Sequence, residues 1–145
     1  MTKITFRNLL CAACVAATVL SSTACTAVPH GAVNRYTGGE GARSMQSVEQ
    51  NQMLAHDLEI TNLVTSRRND LLVVQFDLVN KRSTQTAFQW TVDWFDKQGL
   101  IVPNATQHWE PVRQAGYASN TITIVAPSAA ATQWQLQIGS RDEVQ

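Results

Sequence analysis

Disulfide chemistry is the first thing this chain lacks. Its three cysteines are Cys11, Cys14 and Cys25, so none of the 120 residues after position 25 carries a thiol. A domain built from the rest must hold itself together by burial alone, without the cross-links that many exported domains use. Histidine is scarce as well, with only His30, His56 and His108, and they are far apart in sequence. No HExxH, GxSxG or phosphate-cradling glycine loop occurs. With so few bases and nucleophiles the expectation is a protein with no catalytic residues, no metal ligands and no cofactor. The formal net charge is zero, and no basic patch interleaved with aromatics stands out, which argues against nucleic acid as a partner. Hydrophobic runs are short. The longest, from Leu9 to Leu20, is about a dozen residues, against the ~20 needed to cross a bilayer as a helix.

That short run has the form of a secretory signal. Lys3 and Arg7 make a basic head, the apolar core follows, and Ser21, Ser22, Thr23 and Ala24 lead into Cys25. Residues 1–24 are therefore expected to be a signal peptide. Ser22 to Cys25 is similar to a bacterial lipobox, whose cysteine sulfur takes a diacylglyceryl group, although Ser22 stands where Leu, Val or Ile is usual. The alternative is an ordinary signal cut after Ala24 or Ala27, releasing a soluble periplasmic protein. Lipidation at Cys14 would leave too short a core, and Cys11-Ala-Ala-Cys14 lies in the leader rather than beside a βαβ pattern. Thr26 rather than Asp after the cysteine points, by the sorting habit of Gram-negative lipoproteins, to the outer membrane and its periplasmic face.

Removing the first 24 of 145 residues leaves 121, enough for one domain. Basic residues fall from 11 to 9 against 11 acidic ones, a formal charge of −2. Residues 25–50, with Gly31, Gly38, Gly39 and Gly41, read as a lipidated N-terminus and flexible tether, with a short strand or helix possible near residues 44–53. Residues 51–145 read as the folded domain.

From residue 55 onward the signal is period-two alternation broken by turn formers. Leu58, Ile60 and Asn62 share one face of a first strand; Leu72, Val74, Phe76 and Leu78 share one face of the next. Phe88, Trp90, Val92 and Trp94 alternate with Gln89, Thr91 and Asp93 in a third, and Asp96-Lys97-Gln98-Gly99 forms a turn into a short return strand, Leu100 to Val102. Residues 121–125 are all Thr, Ile or Val, and Trp134, Leu136 and Ile138 alternate with glutamines in the last strand. Such short strands without an amphipathic helix predict an all-β, immunoglobulin-like antiparallel β-sandwich.

The blocks Phe88-x-Trp90-x-x-x-Trp94-Phe95-Asp96-x-x-Gly99, Trp109-x-Pro111, Ala126-Pro127 and Trp134-x-Leu136-x-Ile138 resemble the YcfL family of small Gram-negative lipoproteins over roughly residues 55–140. The resemblance implies a periplasm-facing lipoprotein with an immunoglobulin-like sandwich and no established activity. It also implies cell-envelope work, because in some genomes the family's gene lies near that of an activator of peptidoglycan synthases.

Several residues invite a sharper reading. Asp93 and Asp96 are explained by a solvent face and a turn, and His56 beside Asp57 on a strand would point to opposite faces. Arg67-Arg68 and Lys81-Arg82 read as solvated loop charge. Trp90, Trp94 and Trp134 sit at inward positions and supply core. Trp109 lies in a less regular segment between His108 and Glu110, and with Arg113 and Tyr117 it is the candidate interaction surface. The expected function is a lipid-anchored, non-enzymatic protein-interaction domain of the periplasm, contacting an unidentified envelope protein in cell-envelope assembly or maintenance. The alternative is a binding module for an envelope glycan or lipid, which would require a groove lined by Trp109. For the anchor, Cys25→Ser is expected to abolish acyl labelling and release the protein from membranes; unchanged membrane fractionation would contradict lipidation there.

Overall fold

The computed structural model describes residues 33–140. The signal peptide, the lipidation site Cys25 and the rivals Cys11 and Cys14 lie outside them. Eight strands and one short helix are described: β1 (Val33–Gly39), β2 (Gln46–Val48), α1 (Gln52–Asp57), β3 (Leu58–Arg68), β4 (Leu71–Asn80), β5 (Thr86–Phe95), β6 (Glu110–Gln114), β7 (Ser119–Val125) and β8 (Gln133–Ser140). They form two antiparallel sheets, one ordered β2-β1-β8-β5-β6 and the other β3-β4-β7. With β3, β4 and β7 in the places of strands A, B and E, β5 and β8 match strands C and F. β6 extends the sheet beyond C, and β1 stands antiparallel to β8 where a G strand would be. The immunoglobulin-like sandwich expected from the alternation is present, with its last position filled from the N-terminal side.

The tether expected through residue 50 is thus corrected. Residues 33–39 pair with β8 along their whole length, from Val33 opposite Gly139 to Gly39 opposite Gln133, and β2 pairs with β1. The folded unit begins at β1.

The core is what the alternation specified. Leu72, Val74, Phe76 and Leu78 of β4 face Phe88, Val92 and Trp94 of β5 and Trp134, Leu136 and Ile138 of β8, all buried. Each of the larger side chains contributes about 1.5–3 kcal/mol by leaving water. Trp134 also spans the two sheets, donating from Nε1 to Thr65 Oγ1 on β3 at 3.2 Å. Trp90, expected inside, is half-buried and packs against the core from beside the β6 edge.

Three local features depart from simple alternation. The β3/β4 register shifts between Thr61 and Val64, where Asn62 takes φ +51°. This bulge moves the inward positions from Leu58 and Ile60 to Leu63 and Thr65, and leaves Asn62 exposed rather than on the inner face. Asn69 and Asp70, both with positive φ, make the two-residue turn into β4, a conformation that Asn and Asp tolerate better than most residues. The strand expected over 100–102 shrinks to a single bridge between Phe95 and Ile101. The turn before it is as expected: Asp96 Oδ1 accepts from the amides of Gln98 and Leu100, and Gly99 adopts φ +80°.

Polar groups close both ends of the sandwich. At one end, fully buried Asn80 donates from Nδ2 to the carbonyls of Thr84, Gln114 and Ala115 at 2.9, 3.2 and 3.0 Å, and its Oδ1 accepts from Arg82 N and Thr86 Oγ1. Buried Gln114 of β6 answers across the layers by donating to the carbonyls of Leu78 and Ala118. Asn34 and Asn51 exchange bonds nearby, which fixes α1 against β1, while Asn51 Oδ1 caps the helix through Leu54 N. At the other end Arg67 reaches Glu40 through two bonds and the carbonyls of Asp70, Ala129 and Ala131 through three. Arg67-Arg68 and Lys81-Arg82 flank opposite ends of β4 and form no shared basic edge.

Asn80→Leu would take the Nδ2 donor from three carbonyls and the Oδ1 acceptor from Arg82 N and Thr86 Oγ1, and a loss of about 3 kcal/mol is expected. Urea unfolding checks this: the midpoint falls while the slope stays unchanged. A shift under 1 kcal/mol would show that the amide is not the tie between the sheets.

Candidate interaction surface

Among the described residues β6 is an edge strand, paired only with β5, from Thr86 opposite Gln114 to Trp90 opposite Glu110. Its inward positions are Val112 and Gln114, and Pro111 and Arg113 point outward. Extending the register by one residue sets Trp109 opposite Thr91, on the outer face of the sheet. Trp109 is half-buried there, and the outer-face residues Gln89 and Thr91 are buried although they are polar. The segment around Trp109, expected to be less regular, becomes a regular strand at Glu110.

The approach to Trp109 is held by its own hydrogen bonds. Asn104 Oδ1 accepts from both N and Oγ1 of Thr106, and Gln107 Nε2 donates to Asp93 Oδ1 on β5. His108 bonds the Thr106 carbonyl through Nδ1 and Glu110 Oε2 through Nε2, both at 2.8 Å. Only the doubly protonated ring satisfies both acceptors. The Thr106 carbonyl first and the Glu110 carboxylate second raise the His108 pKa above its ordinary value.

Arg113 is exposed on the same side of the strand line as Trp109, about 13 Å along it. Tyr117 lies past the end of β6 and is 72% exposed. Its φ of +56° is unusual for a bulky residue and is held by donation from its amide to Arg82 O at 2.8 Å. Gly116 makes this turn possible, because a Cβ there would lie 2.2 Å from the Ser83 carbonyl oxygen. The three predicted residues therefore share one sheet edge, with Trp109 and Arg113 on a common side and Tyr117 around its end.

Other features do not converge on this edge. Asp93 also accepts from Gln137, consistent with an outer-face role, and Asp96 is used by its turn. His56 and Asp57 are the last residues of α1 rather than opposite faces of a strand, and Nδ1 lies 3.2 Å from Oδ1. Burial pushes the Asp57 carboxyl up, but bonds from Arg82 and His56 outweigh it and hold the pKa below the usual value. Surface grooves are lined by Thr37, Ala42 and Gln46 with Gln133, by Tyr36 and Met45 with Ile60, and by Gln52 and Met53 with Arg82. Trp109 lines none of these three. No cluster of three or more metal-ligating side chains occurs among the described residues, and none of their helices is long and apolar enough to cross a membrane.

A family model described as "Protein of unknown function (DUF1425)" matches residues 45–140. A crystal structure of a DUF1425 family member from Shewanella sp. pv-4 is similar in fold, with a TM-score of 0.52 and 18% identity over 56% of this chain and 75% of that one. Campylobacter jejuni cj0090 aligns with a TM-score of 0.48 and 17% identity over 57% and 85%. No curated protein matches the chain.

The His108 geometry sets a sign for pH dependence. Because the folded pKa is raised, the stabilisation is complete below the unfolded value of about 6.5 and is lost as pH rises through the folded midpoint. An NMR titration of the full chain should place the His108 midpoint above 6.5, with Glu110→Gln lowering it only in part, since the Thr106 carbonyl remains. A midpoint at or below 6.5 would contradict the two-acceptor geometry.

Proposed function

Because this chain belongs to the DUF1425 family, we propose that it is a YcfL-type, lipid-anchored periplasmic domain that works by protein contact in the cell envelope and carries out no catalysis. Cys25 is its anchor on the periplasmic face of the outer membrane. Its contact surface is the β6 edge, where Trp109 supplies a rigid aromatic body, Arg113 a charged fork and Tyr117 an exposed ring at the end of the strand. Aromatic and arginine side chains dominate interface energetics because they bury much area for little lost rotamer freedom. One observation carries this reading: Tyr117 is held largely exposed by a strained backbone that the adjoining amide network braces. Such strain is maintained where an exposed ring has work to do.

The glycan or lipid alternative needs a groove lined by Trp109, and the grooves described above use other residues. Crosslinking in intact cells from a photoreactive residue at 109, with Asn69 in the β3–β4 turn of the other sheet as control, separates the readings. Protein adducts at 109 but not at 69 are expected, and Arg113→Ala with Tyr117→Ala should reduce their yield about tenfold, as loss of ~1.4 kcal/mol implies. Captured glycan or lipid, or equal capture at both positions, would refute the partner reading.

A further inference from the structure

Each sheet has two outer strands, and three of these four are protected against pairing with another chain. β2 has only three residues, β6 carries Pro111, and β3 is broken by the Asn62 bulge and charged at Glu59, Arg67 and Arg68. β7 has none of these devices. Its seven residues, Ser119 to Val125, include no proline, no charge and no bulge, and among the described residues it is paired only with β4.

The hydrogen bonds at its ends fix which backbone groups are free. Asn80 N donates to Ala118 O and Ala126 N donates to Leu72 O, so positions 118, 120, 122, 124 and 126 bond toward β4. Ser119, Thr121, Thr123 and Val125 then aim their N–H and C=O groups outward.

We propose that β7 pairs antiparallel with β7 of a second copy about a two-fold axis through Ile122. In that register Thr121 faces Thr123 of the other copy and Ser119 faces Val125, each as a hydrogen-bonded pair, giving about eight new backbone bonds. Moving the axis by one residue loses a pair, and any odd offset sets outward groups against inward ones. The side chains agree with the backbone. Ile122, half-buried at the rim of the core, meets its own copy on the inner face, which completes its burial. Thr121 and Thr123 meet on the outer face, where cross-strand threonines pair well. Thr121 Oγ1 already donates to Asp77 Oδ1 at 2.6 Å, so its free lone pair accepts from the opposing hydroxyl.

A second copy is favoured over a foreign strand because the segment is complementary to itself and uncharged, so that two copies meet without repulsion. A seven-residue edge buries less than the ~1,200 Å² of a standard interface, which makes this a weak pair that forms at high local concentration. It uses the sheet opposite to the Trp109 edge and does not rest on the function proposed above.

The test is a register-specific disulfide in the full chain. Ser119→Cys and Val125→Cys, coexpressed with different tags, should form a mixed dimer on mild oxidation. Their Cα atoms would lie about 5.5 Å apart, within bridging range. Ser119→Cys paired with itself should not cross-link, because six residues of offset separate the sulfurs by about 20 Å. The wild-type chain gives the background from Cys11, Cys14 and Cys25. As a second measurement, Thr121→Lys with Thr123→Lys should weaken self-association at least tenfold in sedimentation, with a β-type circular dichroism spectrum confirming the fold. A mixed dimer no stronger than background, an equal Ser119→Cys self-product, capture of a different protein, or a folded double-lysine variant that associates like wild type would each overturn the proposal.

Discussion

Two carboxamides cut off from water decide how the two sheets sit on one another. Asn80 ends a strand of one sheet and Gln114 ends a strand of the other, and each side chain donates to main-chain carbonyls in the other's neighbourhood. Apolar packing is nondirectional, so a core of Trp, Phe and Leu would tolerate sliding of one layer over the other. Directional amide bonds remove that freedom, which matters in a described domain where no cysteine is present to do so. The loops at this end inherit their positions from the same network, including the turn that displays Tyr117.

A strand could be read from sequence wherever its two faces differ in polarity. β4, β5, β7 and β8 alternate cleanly because one side meets the core and the other does not. β1 was hidden for a physical reason. Asn34, Gly38 and Gly39 have little strand propensity, and their extended form comes from pairing with β8, an interaction distant in sequence. The Asn62 bulge is equally silent, since asparagine is as common in ordinary turns as in a left-handed step within a strand. At the candidate surface, Trp109 stood out because its neighbours lack periodicity. What could not be read was that a regular edge strand starts at the next residue. Its inward positions are Val112 and Gln114, and a buried glutamine resembles an exposed one in sequence.

The family match begins at residue 45, after β1 has ended. In this chain the matched region alone would leave β8 with one side unpaired, and the preceding segment covers it. The N-terminal strand therefore has two roles: it completes the barrier around the core and carries the connection toward Cys25. The seven residues between Cys25 and Val33 reach at most about 25 Å when extended, so an anchored domain would sit close to the lipid surface rather than on a long leash.

Val33 and Gly139 are partners, so the chain enters and leaves the described fold at the same end of one ladder. Tension applied between those two points would load the β1/β8 bonds one after another, as in opening a zipper, instead of sharing the load along the strand. The molecule is thus mechanically soft along this one direction, and its first yielding event would bare the flank of β8 while the opposite sheet stayed intact.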